Sequence, residues 1–266
     1  GSIVKCLITD LEENVSFALK AYPKDSRSSF NSNCDRVTQS AIYALLADLC
    51  LWDGQYQKCV DYCQKVIDYK YDRYQEDHAN STSKSDGGVA LFKHSNDTYS
   101  KGYPLYPCYS GNTFGNDFNN IFGGDMNSFE SVFELAFTND GNETNYNSNG
   151  SFASLYGRQS AEGGEDEGKG VLAATENLIS DVANKTYKIF DHEYDVRYYS
   201  FLRNTKLKSN EYTEAYAAKY VSKSVSIQQE GGKAVPYTPT YTADLNSSRN
   251  FIFYRLTDVM LLQAQA

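Results

Sequence analysis

The stretch Arg36–Ile67, RVTQSAIYALLADLCLWDGQYQKCVDYCQKVI, decides the fold. Its first half repeats apolar side chains at Ile42, Leu45, Leu46, Leu49 and Trp52, the spacing of a helix. Asp53-Gly54 breaks that pattern as a turn signal. Helical spacing then resumes from Tyr56 to Tyr69, with Cys59, Val60, Cys63, Val66 and Ile67 on one side. Two helices, over 36–53 and 56–69, joined by so short a turn have to lie antiparallel. The pattern puts Trp52 on the apolar side of its helix and therefore in the core. Cys50, Cys59 and Cys63 occupy positions that suit small buried side chains, with Cys59 against the preceding helix. Cys59 and Cys63 are one helical turn apart, a placement that rarely meets the dihedral a disulfide requires, so no bridge is expected between them.

Working outward, Val4, Leu7, Ile8, Leu11, Val15 and Leu19 predict a helix over 3–20, stopped by Pro23. Helical spacing returns over 172–184 and again over 254–266, where Leu256, Val259, Met260 and Gln263 share a side. Phe129–Phe137 (FESVFELAF) alternates as an extended segment does. The stretches 79–88, 99–122, 139–151, 160–170 and 222–250 read as loops, rich in Gly, Asn, Ser, Thr or Pro and without either period. A charged, tyrosine-rich stretch lies at 187–199. Gly1-Ser2 reads as an expression scar, and the last helix runs to Ala266 without a cap or a covering partner. The expectation is one domain over 1–266, truncated at both ends from a longer parent.

Composition excludes several functions. Thirty-four acidic against 25 basic residues leave a net charge of −9, a poor match for a phosphate backbone. No run approaches the roughly 20 apolar residues of a membrane helix. The six cysteines form no CxxC pair and the three histidines are scattered, so no metal site or cofactor is expected. The unusual figure is 14% aromatic: 23 Tyr and 14 Phe, with a single Trp. Tyrosine offers an apolar face with a polar tip, which suits half-polar ligands as well as cores.

Several segments resemble the SusD/RagB family. The hairpin has tetratricopeptide-like spacing, with Ala47, Gly54, Tyr56 and Cys59 at the small-residue and turn positions. It is similar to the family's "A-x-x-A-L-L-A-x-x-x-L-x-x-G-x-Y-x-x-A" stretch. It is preceded, as there, by a helix reading like Asp10-Leu11-Glu12-Glu13. Glu130-Ser131-Val132-Phe133-Glu134 resembles "E-x-I-F-E", Asp195-Val196-Arg197 resembles "D-x-R", and Lys219-Tyr220 resembles "K-Y". Arg255–Ala266 resembles "R-L-A-D-V-x-L-x-x-A-E-A". Cys59 and Cys63 stand where alanine is usual, and Gln265 where glutamate is common. The resemblance implies a mainly α protein: a tetratricopeptide-like hairpin scaffold with long irregular loops and a few short strands. It also implies an outer-membrane lipoprotein of Bacteroidetes, facing the exterior and anchored by lipid outside this chain. Such a protein captures oligosaccharides or peptides for a TonB-dependent, SusC-like transporter and is not an enzyme.

Read for chemistry, the run Glu165-Asp166-Glu167 beside Gly163-Gly164 is a solvated loop or a weak calcium ligand. Adjacent carboxylates on so loose a loop do not give the fixed pair that glycoside hydrolysis needs. Asp191, Glu193, Asp195 and Arg197 read as ion pairs, and no HExxH, GxSxG or phosphate-cradling loop is present. A helical-repeat adaptor would need at least three repeats, and one complete unit plus half of another is found. A pyranose presents a C–H face that lies on an aromatic ring and a hydroxyl rim that takes Asn, Gln, Asp or Arg. Both residue types meet in 145–159 and 103–118, inside the loop-rich region 99–170. The candidate ligand residues are Tyr146, Asn149, Tyr156 and Arg158, with Tyr106 and Tyr109 behind them.

Overall fold

The computed structural model describes residues 2–21, 36–79, 88–93, 95, 99–107, 109–110, 113–114, 119–123, 128–135, 202–206, 212–217, 222–230, 233–241 and 251–266. Among the described residues the α-helices are α1 (Ser2–Asn14), α2 (Gln39–Trp52), α3 (Tyr56–Ala79) and α4 (Leu256–Gln265). The strands are β1 (Ala90–Phe92), β2 (Tyr103–Leu105), β3 (Tyr109–Ser110), β4 (Thr113–Phe114), β5 (Ser131–Leu135), β6 (Leu202–Lys206), β7 (Tyr212–Ala217), β8 (Ser222–Glu230), β9 (Lys233–Tyr241) and β10 (Phe251–Arg255). The described part is mainly helical, as expected, and no sheet closes. It forms two compact units. The first is Gly1–Tyr106, Met126–Ala136 and Asn250–Ala266, and the second is Pro107–Asp125 and Phe137–Arg249.

The first unit is built on the expected hairpin. Thr38 caps α2, its hydroxyl accepting the Ala41 N–H at 3.2 Å, a cap worth about 1 kcal/mol. The helix ends in a Schellman motif: the Gly54 N–H bonds Leu51 O and the Gln55 N–H bonds Cys50 O. Gly54 supplies the left-handed residue this needs, at φ +76°. The chain then turns back into α3. Ala44, Leu46, Ala47 and Cys50 meet Cys59, Cys63, Val66 and Ile67 in a core that also takes Ile8, Val132, Leu256 and Val259. Small residues at 44, 47, 59 and 63 let the backbones approach closely. Leu46 and Ile67 lose all contact with water, worth about 1.5–3 kcal/mol each.

Three boundaries differ from the sequence expectation. α1 stops at Asn14, followed by a 3₁₀ turn over Val15–Phe17, although the apolar spacing runs on to Leu19. The carbonyls of Ala18 and Leu19 are taken by the Gln39 side chain (2.9 Å) and the Gln39 N–H (3.0 Å), which bind that chain to the start of α2. In α3 the helix continues ten residues past Tyr69, through a polar stretch, to Ala79. Arg73 pairs with Glu76 at 2.9 Å, and the Tyr74 ring stacks on His78 at 3.8 Å, one turn on. At the C-terminal end, residues 251–255 are strand rather than the start of the last helix: β10 pairs antiparallel with β5, and α4 follows.

Trp52 is a further correction. It stands 82% exposed rather than in the core. α2 is apolar nearly all round, and the face that packs is the one carrying Ala44, Ala47 and Cys50. At about 100° per residue, Trp52 falls on the far side.

In the second unit, β3-β4-β8-β9 form an antiparallel sheet, and β6 pairs with β7. The expected loop over 222–250 contains the longest strands described. β8 and β9 pair from Ser222↔Tyr241 to Glu230↔Lys233, which leaves two residues of chain, Gly231 and Gly232, between them. Pro236 and Pro239 have no N–H to give, and β9 accordingly stands at the edge of this sheet among the described strands. The predicted helix at 172–184 lies outside the described residues.

Candidate functional site

The described candidate residue with a placed side chain is Tyr106, directly after β2. Its N–H donates to Glu130 Oε1 at 2.7 Å, and its hydroxyl oxygen accepts the Phe129 N–H at 3.1 Å. Both ends of the residue thereby clasp the segment that leads into β5. Tyr109 sits in β3 with its backbone paired to Phe114. Tyr146, Asn149, Tyr156 and Arg158 lie outside the described residues, as does the Glu165–Glu167 run.

Glu130 organises the polar centre of the first unit. It is 2% exposed, and besides Tyr106 it takes the Thr257 hydroxyl on Oε2 at 2.9 Å, while its carbonyl accepts the Leu256 N–H at 2.7 Å. One residue thus binds β2, β5 and the start of α4 together. Close by, Lys70 of α3 is buried and its ammonium donates to the carbonyls of Phe129 (2.6 Å) and Ser131. Burial of a charge is tolerated where hydrogen bonds replace its water.

Three further polar clusters decorate the scaffold. Glu12 of α1 accepts both Lys58 Nζ (2.8 Å) and Tyr62 OH (2.6 Å) on Oε1. Those bonds, Lys58's first, hold the Glu12 carboxyl below its ordinary value. Tyr62 stacks on Tyr43 with centroids 5.8 Å apart, and the Lys65 ammonium lies over both rings. On α3, Asp68 Oδ1 accepts Tyr99 OH at 3.0 Å and Lys101 Nζ at 3.2 Å, fastening the approach to β2. Burial first, then the Asp68 bond, pushes the Tyr99 hydroxyl up. Finally, Tyr254 of β10 donates to Asp48 Oδ2 of α2 at 2.8 Å, with the same consequence for its own hydroxyl.

Among the described residues no group of three or more His, Cys, Asp or Glu side chains could hold a metal ion, and no helix is long and apolar enough to cross a membrane. Cys6 is exposed, while Cys50, Cys59 and Cys63 are buried, all as free thiols. Among the described residues, Phe17 and Trp52 are each 82% exposed and Tyr56 55%, and none of them is among the candidate ligand residues read from the sequence. The available signal was angular: at about 100° per residue, Trp52 lies across the helix from Ala47 and Cys50.

No known family description matches the sequence, and no curated protein matches it. Among solved structures the chain is similar to a SusD-like carbohydrate-binding protein from Bacteroides vulgatus ATCC 8482, with a TM-score of 0.40 and 12% identity over 97% of this chain. It is also similar to a laminarin-binding SusD-like protein, with a TM-score of 0.46 and 17% identity over 99% of this chain. The chain spans 37% and 49% of the length of those two proteins.

Proposed function

We propose that this protein is a SusD/RagB-like, non-catalytic glycan-binding protein. It captures oligosaccharide at the exterior face of a bacterial outer membrane and passes it to a TonB-dependent, SusC-like transporter. A lipid anchor outside this chain holds it there. The observation that carries the reading is the meeting of family-like segments in one unit. Asp10–Glu13, the 36–67 hairpin, Glu130–Glu134 and Arg255–Ala266 are distant in sequence. They are joined by Glu12 to Lys58 and Tyr62, by β5 to β10, and by Glu130 to Thr257. Coincidental motif matches would have no reason to contact one another.

Ligand contact is assigned to the Tyr-Asn-Arg window with Tyr146, Asn149, Tyr156 and Arg158, and to Tyr106 and Tyr109. Tyr106 contributes through its ring face, since its hydroxyl oxygen already takes the Phe129 N–H. Affinity is expected between about millimolar and micromolar, roughly −4 to −8 kcal/mol, because sugar hydroxyls exchange water bonds for protein bonds at little net gain. Calorimetry against a panel of neutral hexasaccharides and peptides tests the proposal, with reducing-end release measured in parallel. Binding of a hexasaccharide without cleavage, weakened by Tyr156→Ala at unchanged thermal stability, is the expected result. Binding of peptides alone would move the ligand class, and released reducing ends would overturn the non-catalytic reading.

A further inference from the structure

Trp52 is the only tryptophan of the chain, and it is 82% exposed. A lone exposed apolar residue needs no explanation; the surroundings of this one suggest a ligand. It is the last residue of α2, on a turn whose backbone is fixed by the Schellman bonds of Gly54 and Gln55, 3.2 and 2.8 Å long. The indole is therefore carried by a defined turn rather than by a loose loop. Tyr56, 55% exposed, opens α3 on the other side of the same turn.

Between the two rings in sequence stand Asp53 and Gln55. Gln55 Nε2 donates to Asp53 Oδ2 at 2.8 Å, so each side chain orients the other. Asp53 Oδ1, Gln55 Oε1 and the second amide hydrogen remain available to hydroxyl groups. A β-carbon built on Gly54 would meet nothing within 4 Å, so the turn is open to an approaching molecule.

Back along α2 the apolar surface continues at helical spacing through part-buried Leu49 to Leu45, 37% exposed. One turn back, Asp48 is bonded to Tyr254 and Leu49 packs against the core. Beyond Tyr56, Gln57 and Asp61 are exposed and bonded to each other at 3.0 Å. At the turn itself the two aromatic side chains stand with a carboxylate and an amide, and beyond Tyr56 the surface is polar. That is the complement of a pyranose, with a C–H face for the ring and hydroxyls for the rim.

We propose that the α2–α3 turn is a saccharide-stacking site, formed by Trp52 and Tyr56 with Asp53 and Gln55. It is made of residues other than the loop ones assigned above, and it rests on the glycan-binding reading of the protein. Because the chain has one tryptophan, its emission reports on this site alone.

The test titrates the 266-residue chain with laminarihexaose, maltohexaose and cellohexaose, following tryptophan emission and binding heat together. At least one sugar should shift the emission with the midpoint seen by calorimetry. Trp52→Ala should weaken that binding about tenfold, a loss of one stacking contact, while Trp52→Phe retains most of it and neither changes the melting temperature. Binding heat with constant emission and unchanged affinity in Trp52→Ala would overturn the turn site and leave the glycan-binding reading standing. A drop in melting temperature with unchanged affinity would make Trp52 structural and sink the site as well. Absence of heat and of emission change with all three sugars would count against both proposals.

Discussion

Glu130 and Thr257, 127 residues apart in sequence, share a 2.9 Å hydrogen bond in which Thr257 Oγ1 donates to Glu130 Oε2. The other oxygen of the same carboxylate takes the Tyr106 N–H, so three distant segments depend on one buried side chain. Glu130→Ala leaves a backbone N–H and a hydroxyl without their acceptor in a dry site. The expected loss is about 3 kcal/mol, with a smaller one for Glu130→Gln, which keeps an acceptor oxygen. Urea denaturation of the two variants checks this, and a loss below about 1 kcal/mol in the alanine variant would contradict it.

Gly54 is the left-handed residue of the α2–α3 turn, at φ +76° with open space where a side chain would stand. Gly54→Ala therefore meets no neighbour and carries only the backbone cost, about 1 kcal/mol. Gly54→Asn is expected to cost less, because asparagine tolerates this conformation. Equal stability of all three proteins would show that the Schellman turn does not form.

Alkaline pH should destabilise the protein. Burial pushes Cys50 from an ordinary 9.0 to about 11, and raises Tyr62, Tyr99 and Tyr254 above their ordinary 10.0. Each of these groups holds its proton longer in the folded state than in the unfolded one. Their contribution is fully present below the unfolded values and is lost as pH rises through the folded ones. Denaturation midpoints should be flat up to about pH 8.5 and fall steadily above pH 9, less so in Cys50→Ala. A midpoint independent of pH up to 10.5 would refute the burial of these groups.

Thiol labelling should divide the cysteines by burial. Cys6 is exposed and should react with iodoacetamide in the native protein, whereas Cys50, Cys59 and Cys63 should react only after unfolding. Peptide mapping reads this directly. A mass matching a Cys59–Cys63 bridge would contradict the free thiols of the core.

The helical hairpin was legible in the sequence because its evidence is local. Helical spacing on each side of Asp53-Gly54 and the glycine itself dictate two helices and a left-handed turn. The strand in Phe129–Phe137 and the amphipathic last helix were legible for the same reason. In the candidate site, residue type alone brought Tyr106 forward, and no local signal showed that its hydroxyl oxygen meets the Phe129 N–H.

What only the tertiary structure decided depends on partners far along the chain. Gln39 ends α1 early, and α3 runs on to Ala79 through polar residues once Lys70 is buried against the carbonyls of Phe129 and Ser131. Polar residues at 222–241 become strands because two adjacent segments pair backbone to backbone, which composition does not encode. Trp52 shows the limit most directly: a helix apolar on all sides announces that it packs, but only its neighbours determine which side. Here α3 covers the side with alanines and cysteines, since small residues permit the closer approach, and the indole is left facing water.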